Sequence, residues 1–569
     1  MTLTEARPET EAPSPQGAQS LTLDGLIGSA DHKTIGRAWI GAGLLFLVAS
    51  TVISAIVGIE AIDLGGFAIA EDGDQFAQIW SLGRALLLFG GIVPILVGLA
   101  TFLVPLQIGA PAIAFGRGAA GAFWTWLLST GLFVGSYVLN GGPGGGQTDF
   151  MVLWAAAFGG VLISLTWAMV IVATTILGAR TTGMTLDRVP YTTWSFFVFS
   201  LVGILTLPVL MAELVIVYIQ IRHGFLPLGS RLGLTGVMDS VSLAPVVYWA
   251  AIPLLGMVAD VVGVHTDRPV PARRAVMASV GLLGILVYGA PFFGFASVRE
   301  IHLDHGMLVI AIAVCVLPIL AVLGLCSASL RAGTIRVNAA LVAMLAAGAV
   351  LLLTALASLL ALAEPVTLFF DRETTLDVST DSLLILNGTT FHDGIRGLVT
   401  GAIVVAIMGA LHHWSPKLWG RRLSAPITLI GVLAGTVGAL LWGVGATLAG
   451  VDKQVAYPKA TLVGGDNVEF FNLIAGIGIV LVAVAAVAAA LNAAGRAVGK
   501  IDESSAGRWE GTTLEWATAS PPSFGNFEGP PIVRSSTPLV DGIEAAGVEN
   551  VHDAGAAESQ DTSASGGSQ

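Results

Sequence analysis

The sequence predicts an all-α integral membrane protein of about twelve transmembrane helices, and three observations lead there. The 569 residues are 54% hydrophobic and only 11% charged, with a mean hydropathy of +0.82, whereas a soluble chain carries about 25% charged residues. The apolar residues gather into runs of spanning length. Gly occurs 71 times, and small residues let membrane helices approach closely.

A spanning helix takes about 20 apolar residues. That rule yields segments at 37–60, 82–106, 119–139, 151–178, 193–219, 241–263, 275–297, 306–329, 338–362, 394–413, 425–449 and 468–494. Each is rich in Leu, Val, Ala and Gly and is bounded by charges, Pro or Gly. Length selects helices over barrel strands, which need only about 10 residues. An even number of spans puts both termini on one side. The loops on that side hold eleven Lys/Arg, against six in the opposite loops. This bias places both termini in the cytoplasm of a multi-pass plasma-membrane protein.

The flanks read differently. Residues 1–30 contain Glu, Pro, Ser and Gln without a basic start leading into an apolar run, so they read as a disordered cytoplasmic tail and not as a secretory signal. Residues 31–500 form the membrane domain. From 501 to 569, eleven Asp/Glu face two Arg and carry −9 of the net −12. This polar, acidic cytoplasmic tail buries too little apolar area to fold alone. Its charge excludes nucleic acid as a partner; the partner the composition demands is the lipid bilayer. Cys315 and Cys326 lie eleven residues apart in one apolar segment, too far for a disulfide. They read as small buried hydrophobes and support no zinc or iron–sulfur site.

Several runs carry a family resemblance over roughly 31–530. Asp31-His32-Lys33-Thr34-Ile35-Gly36 precedes the first segment, and Phe102-Leu103-Val104-Pro105-Leu106-Gln107-Ile108-Gly109-Ala110 closes the second. Gly183-Met184-Thr185-Leu186, with Arg188, Pro190 and Trp194, leads into the fifth. Trp414-Ser415-Pro416-Lys417 follows the tenth, and Trp509 to Pro522 reads WEGTTLEWATASPP. In the sixth, Ala244-Pro245-Val246-Val247-Tyr248 is followed by Pro253. Together these runs resemble subunit I of the haem–copper terminal oxidases. The resemblance implies a twelve-helix bundle, and in the parent family it implies haems, copper and electron transfer to oxygen in aerobic respiration.

That chemistry needs six imidazoles within the bilayer, because neutral nitrogen binds iron and copper without burying charge. The nine His are His32, His223, His265, His302, His305, His392, His412, His413 and His552, all in tails, loops or segment ends. By the resemblance, Gly83 stands at a haem-ligand position of the second segment and Ala244 at a copper ligand of the sixth. Val246 replaces the family's proton-handling Glu. The adjacent copper His pair falls on Ala290 and Pro291. Counting back from Trp414 puts the His-x-His pair of the tenth segment on Gly394 and Arg396. Val322 stands where the family's channel Lys would be, and only Lys453 and Lys459 lie near the absent propionate-binding Arg pair. Tyr248 matches the family's redox tyrosine and, without its His neighbour, reads as a buried, hydrogen-bonded side chain.

Charged residues inside spans are costly and face inward; the notable ones here are Arg84, Glu213, Asp260 and Arg396. Arg84 and Arg396, paired with Glu213, either fill part of the vacated haem volume or snorkel to the interface. His392-Asp393 reads as a water-facing helix entrance or as a divalent-ion site. His302, Asp304 and His305 read as a solvated helix start, and His412-His413 as an interfacial helix end.

Three functional readings follow. The first is a noncatalytic, ligand-depleted relative of oxidase subunit I with a structural, assembly or regulatory role, alongside respiratory oxidase subunits and without haem or copper. The second is a working cytochrome c or quinol oxidase subunit with relocated ligands, haem and copper. The third is a proton or solute conduit lined by Glu213 and Asp260.

Overall fold

The structure is a computed structural model. It describes residues 28–62, 69–143, 145–223, 244–295, 304–362, 386, 389–455, 467–497, 511–527, 529–541 and 544–545; for helical residues 244–247, 288–295 and 304–315 only the backbone is described. Long helices account for almost all of it. They are α1 (His32–Glu60), α2 (Gly73–Gln107), α3 (Gly116–Val138), α4 (Thr148–Gly178), α5 (Tyr191–His223) and α6 (Ala244–His265). There follow α7 (Arg273–Phe295), α8 (Asp304–Ala332), α9 (Ala339–Ser358), α10 (Phe391–Trp419), α11 (Ala425–Val451) and α12 (Val468–Ala497). Among the described residues nine helices are long and apolar enough to cross a membrane.

The helix starts are written in the sequence. Asp31 caps α1, accepting from the Lys33 N–H and the Thr34 hydroxyl. Asp72 caps α2 through the N–H groups of Asp74 and Gln75, and Asn338 caps α9 through that of Leu341. Each side-chain oxygen satisfies a donor that the first helical turn leaves unpaired. At the other end of α10, Gly420 takes φ 67°, the left-handed stop that glycine allows. In α2 the ladder widens to a π-turn over Leu86–Ile92. The Phe89 carbonyl within that turn accepts from the Trp126 indole of α3 at 3.0 Å.

Burial separates inner from outer helices. The most apolar stretch is 100% buried in α2 and α10 and 89% in α6, but 33% in α1 and 44% in α11 and α12. Consecutive helices pack on one another, α6 and α10 sit between the others, and α12 returns to pack on α1. α2, α6 and α10 carry most of the positions at which the family resemblance expects metal ligands.

The C-terminal segment docks on the bundle. Leu514 and Glu515 are buried in a short 3-10 turn, Leu514–Ala517. One Glu515 carboxylate oxygen accepts from Gln107 of α2 at 3.0 Å and from the Trp414 indole of α10 at 3.2 Å. Lys417 donates to the Thr518 carbonyl at 2.5 Å, and Lys33 to the Asn526 side chain at 3.2 Å. A tail that cannot fold alone is ordered over 511–527 by helix ends that lend it donors. Trp509 and Glu510 of the same motif, and residues 1–27 and 546–569, lie outside the described residues.

Candidate functional site

Two of the helices on which the resemblance expects ligands, α2 and α10, are joined by side chains toward the end of the bundle away from the termini. Gly83 and Arg84 project from α2; Asp393, Gly394 and Arg396 lie in the first turns of α10. Arg84 donates to the Asp393 carboxylate. Arg396, one turn further along α10, holds the same Asp393 oxygen at 3.4 Å. Asp393 is a counterion of both arginines; Glu213 sits half-buried in α5.

The two guanidiniums are 10% and 11% exposed at the side chain, so they point into the bundle. Arg84 lies over the Trp80 ring at 3.8 Å, one turn back on the same helix, a cation–π contact that screens its face from lipid. The Asp393–Arg396 spacing of three residues puts both on one helix face, a local signal for that pair that says nothing of Arg84.

Space is closed at the same positions. A methyl group on Gly394 would lie 2.2 Å from the Thr447 hydroxyl and 2.5 Å from the Gly443 carbonyl of α11. On Gly83 it would lie 3.0 Å from the Ile53 side chain of α1. An imidazole at Gly394 would need α11 to move, one at Gly83 would have to displace the Ile53 side chain, and Arg396 is a cation that cannot ligate iron. Gly83, Gly394 and Arg396 therefore offer no nitrogen ligand to a haem iron.

Asp393 is engaged by two guanidiniums, and among the described residues no group of three His, Cys, Asp or Glu could hold an ion. Of the other described histidines, His32, His223 and His265 stand at helix ends, whereas His412 and His413 lie about two turns before the end of α10, with His413 buried. The rings of His265 and His413 touch edge to face at 5.6 Å, with Trp414 and Trp516 packed on His413. His302 and the side chains of Asp304 and His305 lie outside the described residues, as do those of Ala244, Ala290 and Pro291.

Tyr248 is buried and its hydroxyl lies 2.9 Å from the Ser358 hydroxyl of α9. Asp260 of α6 serves the start of α5, where one oxygen accepts from the Tyr191 N–H at 3.2 Å and the other from the Thr192 N–H at 2.7 Å. It is an N-cap supplied by a neighbouring helix. Sequence alone could not reveal this, because donor and acceptor are 68 residues apart.

Outside the spans, Asp31 has a shifted carboxyl. Burial pushes it up, but the Lys33 hydrogen bond and the charges of Lys33 and His32 outweigh that and leave it below the usual range.

Known proteins resemble the whole bundle. Cytochrome c oxidase subunit 1 of Synechocystis sp. is 24% identical over 530 residues, covering 88% of this chain and 90% of its own. Probable cytochrome c oxidase subunit 1-alpha of Streptomyces coelicolor is 24% identical over 543 residues, covering 90% and 88%. A haem–copper terminal oxidase dimer solved by cryo-EM superposes with a TM-score of 0.65 over 86% of this chain and 87% of that one. At 12% identity that likeness speaks for the fold. The model of the family "Cytochrome C and Quinol oxidase polypeptide I" matches residues 34–369, more than half the sequence, and the chain belongs to that family.

Proposed function

We propose that this chain is a ligand-depleted homologue of oxidase subunit I, with a structural, assembly or regulatory role. It works in the plasma membrane beside other oxidase subunits, with both termini cytoplasmic and without haem or copper at the family's sites. The observation that carries the reading is the Arg84–Asp393–Arg396 cluster beside the closed position Gly394. The arginine side chains fill part of the volume that a haem would take.

A reduced-minus-oxidised absorbance spectrum of the purified protein tests it. A flat difference spectrum is expected; a haem α band with stoichiometric copper would overturn the reading. The second reading, a working oxidase with relocated ligands, is favoured by near full-length matches to proteins named as oxidase subunits. Under it Tyr248→Phe abolishes oxygen reduction; under ours that change removes hydroxyl bonding such as that to Ser358 and there is no oxygen reduction to lose.

A further inference from the structure

We propose that Arg396 receives a phosphate-type anion between the start of α10 and its neighbours. Its Nη2 lies 3.4 Å from the Asp393 oxygen that Arg84 holds more closely. Its Nε and Nη1 are buried and make no hydrogen bond. A guanidinium keeps its charge at any physiological pH, so this cation cannot escape burial by losing a proton. Unmet buried donors on a charged group are costly, and an acceptor from outside the chain removes that cost.

The surroundings narrow what the acceptor is. The Arg84 guanidinium adds a second positive charge beside the same carboxylate, favouring an anion over a neutral acceptor. Arg396 stands five residues into α10, about 8 Å from its start. On the adjoining faces of α10, Gly394 meets Thr447 and a methyl on Gly397 would lie 2.7 Å from the Trp442 ring, which leaves no room for a bulky group there. Planar guanidinium N–H groups match tetrahedral and planar oxyanions, and the phosphate group is the chemistry shared by anionic lipid headgroups and free phosphate.

The test uses the full-length protein, delipidated in neutral detergent. One arm titrates inorganic phosphate, with chloride at matched ionic strength as control; the other follows retention of phosphatidylglycerol against phosphatidylcholine by native mass spectrometry. Saturable binding in one arm identifies the source. Arg396→Gln should weaken it about tenfold or more, and Arg396→Lys, a point charge without the fork, by less. Absence of binding to the wild type in both arms overturns the proposal, as does unchanged binding in Arg396→Gln. Should that variant not fold, wild-type affinity in Arg396→Lys overturns it. The same preparation is scanned for haem: a haem band counts against the proposed function, whereas the phosphate response tests this inference alone.

Discussion

Arg84 and Asp393, 309 residues apart in sequence, form the ion pair that ties α2 to α10. Both helices are central to the bundle, and Arg396 leans on the same carboxylate. The pair therefore holds together the two helices at which the family places its haem ligands.

Replacing Asp393 by Asn removes the carboxylate that both guanidiniums share. Breaking one partner of a buried pair costs about 3 kcal/mol. Thermal unfolding in detergent should show a clear drop for Asp393→Asn. Replacing Arg84, Asp393 and Arg396 together by Leu should recover most of it, since an apolar trio strands no charge.

Gly394 and Gly83 should respond differently to a restored ligand. Gly394→His drives a side chain into Thr447 and the Gly443 carbonyl, and even Gly394→Ala should cost about 1–3 kcal/mol as overpacking. Gly83→Ala meets only the end of the Ile53 side chain and should cost less. Neither His variant should gain haem absorbance when expressed with excess haem.

Asp260→Ala strips the start of α5 of its cap. The loss should be about 1–2 kcal/mol, with Asp260→Asn milder because it keeps one acceptor. Proton flux in liposomes should not depend on this residue; flux abolished by Asp260→Asn in a still-folded protein would revive the conduit reading.

Asp31 gives the protein a share of its acid sensitivity. Its carboxyl is held below its usual range, so the Lys33 contact contributes stability above the unfolded-state value and loses it as pH falls through the folded-state value. Asp31→Asn should lower the melting temperature at neutral pH and flatten its decline below about pH 4, as followed by melts across an acid series.

The spans were legible because each is set by local apolarity: the segment read at 425–449 is the helix Ala425–Val451. Boundaries drifted outward where polar residues continue the helix, as at Asp74 and Gln75 before the apolar part of α2. The ligand positions rest on the resemblance alone, which sets Gly83 and Arg396 by counting along the family pattern. Partners were not legible. Asp393 had to be found across two helices, and Glu515, in a segment too polar to fold alone, gains its place only from Gln107 and Trp414.

The return of α12 to α1 has a consequence for biosynthesis. Asn472 donates to the Ala61 carbonyl at 2.9 Å across 411 residues, and methyl groups on Gly58 and Gly476 would crowd the facing helix. The flank of α1 that α12 covers must wait in lipid until eleven more helices have been made and inserted. A chain stalled before α12 exposes that small-residue seam, and the seam then marks the unfinished protein for any factor that recognises incomplete membrane bundles.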